Sequence, residues 1–251
     1  MVHFVGAGSG AVDLITVRGA RLLEAADVVI YAGSLVNPEL LSYTREGCEI
    51  YNSASMTLEE VIDCMRKAES EGKVTVRLHT GDPSIYGAVR EQFDALDKLG
   101  ILYDVCPGVS AFSGAAAALK AEYTLPSVTQ TLIISRMPGR TAVPERESIR
   151  SLSAHQASLA LFLSSSLTEA LQEELIAGGY TGDTPAAIVY RASWPDEKIY
   201  RCTVGTLHQT AQENGVKKMA LIVIGEFLGT HYERSKLYHP GFSTEYRKAE
   251  N

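Results

Sequence analysis

The sequence predicts an α/β protein of two domains, the first built on a mostly parallel sheet and the second on a mixed one. Three observations carry this. Up to residue 121, short β-branched runs alternate with amphipathic helical stretches, the pattern of a parallel sheet with crossover helices. From residue 126 to 251 strands dominate, and one pair is joined too closely for a crossover, which brings in antiparallel pairing. The polar, proline-containing stretch "EYTLPS" (122–127) separates the two patterns, giving domains 1–121 and 126–251.

In order along the chain, "VHFVGAG" reads as a buried strand and "DLITVRGARLLEAAD" as a helix, with Leu14, Val17 and Leu22 on its apolar face. "DVVIYA" is a second strand. "TLEEVIDCMRKAESEG" is the clearest helix: Thr57 and Glu60 spell a capping box, Leu58, Val61, Ile62 and Met65 form the stripe, and Gly72 stops it. "KVTVRLHTG" is a third strand, "AVREQFDALDKLG" a helix, and "LYDVCPG" a fourth strand. "SAFSGAAAAL" has small residues throughout, which suits a closely packed helix. In the second half "TQTLIISR", "SLALFLS", "AAIVYRAS" and "MALIVIGEF" are strands by β-branched content. "ASWPDEKIYRCTV" carries a turn at Trp194–Glu197 and reads as a hairpin. The tail after Gly229 is polar and aromatic, with little to order it.

Composition narrows the function classes. With 45% hydrophobic and 21% charged residues the chain can build proper cores. Its net charge of −7 argues against a general nucleic-acid binder, yet permits an anionic ligand held by a few local arginines. The four cysteines, Cys48, Cys64, Cys106 and Cys202, are dispersed and lack metal-ligand spacing, as free thiols in a reducing compartment would be. No leader pattern opens the chain, and no apolar run reaches the ~20 residues of a membrane span. A soluble cytoplasmic protein is expected.

"VGAGSGA" fits G-x-G-x-x-A, the dinucleotide fingerprint. That reading needs an acidic residue at the end of the second strand, where ribose hydroxyls bind. The strand ends instead in Tyr31 and Ala32, and Asp27 stands at its other end. A nicotinamide or flavin site is therefore disfavoured, and the glycines read as a tight strand–helix turn. "HTGDPSIYG" (79–87) and "CPGVSAFSGAAAAL" (106–119) each follow a strand and lead toward a helix. Loops so placed face a common crevice and offer backbone polar groups, the Asp82 carboxylate and the Ser110 hydroxyl, which suits a small polar ligand bearing hydroxyls. No G-x-x-x-x-G-K-[ST] is present for a triphosphate. Asp82 can equally be a helix N-cap.

The order of these stretches, "VGAGSGAVDLITVRGARLLEAADVVIYAGSLV", then "GDPSIYG", then "PGVSA", resembles the tetrapyrrole (corrin/porphyrin) methylases over nearly the whole chain. The second half, "LPSVTQTLIISRMPGRTAVPE", "LALFLSSSLT" and "IVYRASWPDEKIYR", is similar to members that methylate carbon 11 of precorrin-4 or of its cobalt form, in cobalamin biosynthesis. The resemblance implies a homodimeric enzyme that binds S-adenosylmethionine between its two domains. It assigns Gly81, Asp82 and Ile85 of the GDP loop, Ser110 and Ala111 of the PGVSA loop, and Leu163 and Ala192 of the second domain to that cofactor. It turns the glycine loop toward the tetrapyrrole, with Ser9 standing where proline is usual.

Methyl transfer from a sulfonium to an electron-rich ring carbon needs alignment more than a strong base. No residue is assigned as base. His3 and His79 both sit at strands, where a structural role competes with a catalytic one. A tetrapyrrole carries many carboxylates, and arginine suits their bidentate recognition. Arg136 and Arg140, straddling Met137–Pro138–Gly139, are the first candidates, and Arg18, Arg77 and Arg191 follow; each can instead be a solvated surface charge. Ser164–Ser165–Ser166 either meets the methionine end of the cofactor or caps the next helix. The rivals are methylation of another corrin carbon, of diphthamide or of ribosomal RNA, a ligand-binding module without catalysis, and a nicotinamide oxidoreductase.

Overall fold

The computed structural model describes residues 1–249, apart from the side chains of Ser34 and Leu237. Its chain divides into two compact units. The first comprises Met1–Ala115 together with Arg191–Glu197, and the second comprises Ala116–Tyr190 and the chain from Lys198 onward. The division falls inside a helix, and the loop Arg191–Glu197 returns to the first unit from the hairpin of the second.

The first unit is a five-stranded parallel sheet of β1 (Val2–Gly6), β2 (Val28–Tyr31), β3 (Glu49–Asn52), β4 (Thr75–His79) and β5 (Tyr103–Cys106), in the order β3-β2-β4-β1-β5. The crossovers carry α1 (Val17–Ala25), α2 (Leu58–Ser70) and α3 (Arg90–Leu99), and α4 (Ala111–Leu119) follows β5. Successive strand residues point to opposite faces, and both faces are covered. Val5, Val29, Val76 and Leu78 pack with Leu23 and Leu40 on one side; Val2, Phe4, Val28 and Ile30 pack with Met65 and Leu96 on the other. This explains why β4 is buried at every position. The C-terminal ends of β4, β1 and β5, neighbours in the sheet, open onto the glycine, GDP and PGVSA loops.

The second unit is a mixed five-stranded sheet of β6 (Leu132–Arg136), β7 (Ser158–Phe162), β8 (Pro185–Tyr190), β9 (Lys198–Thr203) and β10 (Ala220–Ile224), in the order β6-β7-β10-β8-β9. Only β6 and β7 pair in parallel; β10 runs antiparallel to both β7 and β8, and β8–β9 is the expected hairpin. Helices α5 (Ile149–Ser153), α6 (Thr168–Ala177) and α7 (Leu207–Glu213) cover a core that includes Leu159, Leu161, Leu171, Leu175, Ile188 and Ile222. The predicted α/β class, with one parallel and one mixed sheet, is what is observed. Among the described residues no helix is long and apolar enough to cross a membrane.

Several expectations need correction. The "EIYN" strand, β3, was not expected: it is a four-residue edge strand with alternating exposure and no apolar run to mark it. The helix read from Asp13 is shorter. A 3-10 turn spans Val12–Leu14, and α1 starts after Thr16, whose hydroxyl accepts the Gly19 N–H at 3.0 Å. The Thr57–Glu60 capping box is present in full. The helix read after the GDP loop starts only at Arg90, and residues 83–86 form turns.

Candidate functional site

The site is built where three strand ends meet almost backbone to backbone. A Cβ on Gly6 would lie 2.6 Å from the Gly108 Cα and the Gly81 carbonyl oxygen, and one on Gly108 would lie 2.1 Å from that same oxygen. No residue but glycine fits at Gly6 or Gly108. The glycine loop is then sewn to its neighbours by its N–H groups. Ala7 donates to the His79 carbonyl at 2.7 Å, Gly8 and Gly81 exchange N–H···O bonds at 3.2 and 3.0 Å, and Ala11 donates to the Ser193 hydroxyl at 3.0 Å. A diphosphate cradle needs such N–H groups free at a helix N-terminus. Here they hold protein, and α1 begins only at Val17.

Asp82 has a role that its local sequence does not spell. It caps no helix. One carboxylate oxygen accepts the Ser84 N–H at 2.8 Å and the Ser84 hydroxyl; the other accepts the Gly108 N–H, also at 2.8 Å. The side chain thus clasps the GDP loop to the PGVSA loop. Burial pushes its pKa up, but the bonds from Ser84 and Gly108 outweigh this and hold the carboxyl below the ordinary value. Ile85, half-buried, follows in the same turn and donates its N–H to the Asp82 carbonyl at 3.2 Å. Tyr86 and Ala88, at φ 55° and 49°, are non-glycine residues in the left-handed region. Beside Gly81 the Thr80 hydroxyl is buried without a partner, which fits a hydroxyl-bearing ligand at this edge. Ser110 is buried, and Ala111 opens α4, whose first turn leaves N–H groups without intrahelical acceptors.

The loop Arg191–Glu197 closes the other side of the glycine turn. The Ser9 and Ser193 hydroxyls are 3.0 Å apart. Gly10, at φ 157°, lies against the indole of Trp194; a Cβ there would be 2.1 Å from the ring. Buried Ala192 adjoins the same turn, since its carbonyl oxygen would lie 2.8 Å from that Cβ. Ser193, Trp194 and Gly108 are site residues that the sequence reading passed over, because their partners lie far along the chain.

The two candidate histidines, His3 and His79, lie on β1 and β4. His79 is buried beside Phe4 (ring centroids 6.0 Å), its Nε2 has no partner, and burial with the nearby Arg77 charge pushes its pKa down to about 3. So weak a base, so enclosed, is unsuited to proton abstraction. The His3 Nδ1 lies 2.7 Å from the Asp104 carboxylate. Arg77 is also removed from the substrate candidates: it is sealed in the core, donating to Gln92 and to the Ile30 carbonyl, both at 3.1 Å.

In the second unit, Leu163 follows β7 at φ 52° with 63% of its surface exposed, a strained apolar residue held out to solvent. Ser164 holds it there, accepting the Met137 N–H at 2.9 Å and donating to the Phe162 carbonyl at 2.7 Å. None of the three serines caps α6 at its N-cap, which is Leu167. Arg136 and Arg140 are not the matched pair expected. Arg136 donates to the Met137, Thr141 and Ala142 carbonyls and to the Thr141 hydroxyl at 2.9–3.2 Å, clasping its own loop. Arg140 is exposed, and its side chain makes no hydrogen bond or ion pair among the described residues.

Residues 1–208 match the family profile of the Tetrapyrrole (Corrin/Porphyrin) Methylases. The chain is 53% identical over 249 residues to the cobalt-precorrin-4 C(11)-methyltransferase of Methanocaldococcus jannaschii, covering 99% of this chain and 96% of the relative. Among solved structures it resembles a cobalamin biosynthetic enzyme, the cobalt precorrin-4 methyltransferase CbiF, with a TM-score of 0.89, 46% identity, and 91% and 96% of the two chains covered. It also resembles the uroporphyrin-III C-methyl transferase of Thermus thermophilus complexed with S-adenyl homocysteine, with a TM-score of 0.76, 25% identity, and 90% and 98% covered. By this likeness over nearly its whole length, the chain belongs to the tetrapyrrole (corrin/porphyrin) methylases.

Proposed function

We propose that this protein is an S-adenosylmethionine-dependent methyltransferase that methylates carbon 11 of precorrin-4 in cobalamin biosynthesis, acting on the cobalt-loaded form. The full-length likeness to the archaeal cobalt-precorrin-4 C(11)-methyltransferase carries this reading. The site supports it in kind. Three loops locked by glycine contacts present backbone groups and small hydroxyls, a surface for a neutral nucleoside rather than a polyphosphate. The cofactor supplies an electrophilic methyl group on a sulfonium. The chain has only to hold donor and ring carbon in line, and fixed loops serve that purpose.

In this reading Gly81, Asp82, Ile85, Ser110, Ala111, Leu163 and Ala192 hold the cofactor. Asp82 acts through the loops it joins. Ser9 and Arg140 face the tetrapyrrole, and Arg136 shapes the loop that carries Arg140. The enzyme is cytoplasmic and a homodimer; sedimentation as a single 27.2 kDa species at micromolar concentration would count against the dimer.

Calorimetry with S-adenosylhomocysteine and with NAD tests the cofactor. The thioether is expected to bind and NAD is not; the reverse overturns the reading. Turnover of cobalt-loaded against metal-free precorrin-4, followed by the position of the new methyl, tests the substrate. Faster turnover of the metal-free compound would reject the cobalt form.

A further inference from the structure

We propose that Arg191 is a substrate-anchoring residue, binding a carboxylate at the rim of the tetrapyrrole beside the glycine loop. This rests on the function proposed above. Four arginines of the first unit are engaged elsewhere: Arg45, Arg66 and Arg90 pair with Asp27, Asp63 and Asp94, and Arg77 lies in the core, while Arg18 and Arg21 sit on α1 and form no ion pair among the described residues. Arg191 differs in place and in bonding. It lies two residues from Ser193, whose hydroxyl meets Ser9, so it stands at the glycine turn.

The side chain is preorganised. Its guanidinium lies 4.1 Å from the centroid of the Trp194 ring, and that indole packs on Gly10. Nη1 donates to Asp196 at 2.5 Å. The backbone beneath is held in an uncommon shape: Arg191 and Ser193 have φ of 48° and 66°, kept by bonds from the Trp194 N–H to the Arg191 carbonyl (3.0 Å) and from the Ser193 N–H to Glu197 (2.6 Å). Strain of this kind concentrates at ligand-holding loops.

The unpaired donors define the ligand. Nε is buried with no partner, and Nη2 makes no hydrogen bond among the described residues. These N–H groups share the edge of the guanidinium that takes a carboxylate side-on. Asp196 takes the Nη1 corner and leaves the donors of that edge unpaired, Nε beneath the surface and Nη2 beside it. With 24% of the side chain exposed, an incoming carboxylate meets Nη2 first, and the ring stack keeps the fork from swinging away.

The test compares Arg191→Ala, Arg191→Lys and Asp196→Asn in the full chain. Methyl transfer is measured against tetrapyrrole concentration, S-adenosylhomocysteine binding by calorimetry, and loop placement by the emission of Trp194, the only tryptophan. Arg191→Ala is expected to raise KM for the tetrapyrrole about 10- to 100-fold, the worth of one charge-assisted hydrogen bond, with kcat and cofactor affinity little changed. Lysine recovers part of the loss. Asp196→Asn lowers KM, because a competing carboxylate is gone. If Asp196→Asn raises KM as Arg191→Ala does, the pair is a strut for the loop and the proposal is overturned. Wild-type KM in Arg191→Ala overturns it too. A wild-type enzyme that binds S-adenosylhomocysteine but methylates no tetrapyrrole rejects the proposed function itself, and the rim carboxylate falls with it.

Discussion

Replacing Asp82 separates a loop clasp from a direct ligand contact. Asp82→Ala removes the acceptor of the Gly108 N–H and of both Ser84 donors. Bonds to a charged acceptor contribute about 1.5–3 kcal/mol each. The carboxylate is partly solvated, so the sum is discounted to about 2–3 kcal/mol. Part of that is the Gly108 N–H left without an acceptor where backbone packs on backbone. Asp82→Asn keeps one accepting oxygen, so it can satisfy either Ser84 or Gly108 but not both. The expected order of stability in urea unfolding is wild type, then Asn, then Ala, and S-adenosylhomocysteine affinity measured by calorimetry falls in that order. Wild-type stability in Asp82→Ala would refute the clasp. Binding lost in Asp82→Asn at unchanged stability would assign the carboxylate to the ligand instead.

Gly10→Ala sets a methyl 2.1 Å from the Trp194 ring at φ 157°, so it is expected to shift the tryptophan emission and to lower stability by about 1–3 kcal/mol in urea. Arg136→Ala frees the 137–142 loop and is expected to lower stability by about 1–3 kcal/mol, whereas Arg140→Ala leaves unfolding unchanged and raises the tetrapyrrole KM; equal unfolding midpoints for the two variants would contradict this. His79 has a folded pKa of about 3 against 6.5 unfolded, so the unfolded chain binds the extra proton between these values and stability falls as pH drops through that window. His79→Phe is expected to remove about 2–3 kcal/mol of the loss between pH 7 and about pH 4.5, and parallel stability–pH curves for the two proteins would reject it.

What the sequence disclosed tracks how local the governing interactions are. The Thr57–Glu60 capping box spans three residues and is spelled in the chain. The β8–β9 hairpin is announced by its turn. Strand β4, buried at every position, alternates Val76 and Leu78 with Thr75, Arg77 and His79 and is marked by its β-branched residues. The buried strand β10 declares itself as an apolar run, because both of its faces are covered. The edge strand β3 does not, since pairing on one side and partial exposure ask for no continuous apolar run. The site is mostly of the second kind. Asp82 finds its partner 26 residues on, and Ser9 finds Ser193 across 184 residues, so neither bond has a local spelling. Even Arg136, whose acceptors lie within six residues, reads in sequence as a free cation, because only the closed loop aims the Met137, Thr141 and Ala142 carbonyls at it.

The glycine loop shows why a fingerprint underdetermines chemistry. G-x-G-x-x-A records where side chains are forbidden, and several structures forbid them at that spacing. In a dinucleotide site the glycines let phosphate approach the backbone, and the N–H groups point at the ligand. Here the approaching group is other backbone at Gly6, where Gly108 and Gly81 close in, and an indole at Gly10. The N–H groups of Ala7, Gly8 and Ala11 are consumed by His79, Gly81 and Ser193. The missing acid at the end of β2 is the same fact seen from another side: Tyr31 and Ala32 stand there, and Asp27, at the opposite end, accepts the Val74 N–H at 2.8 Å and pairs with Arg45. Glycines that spell a cradle are here the condition for three loops to lock, and the locked loops leave the ligand-facing work to the residues that follow them.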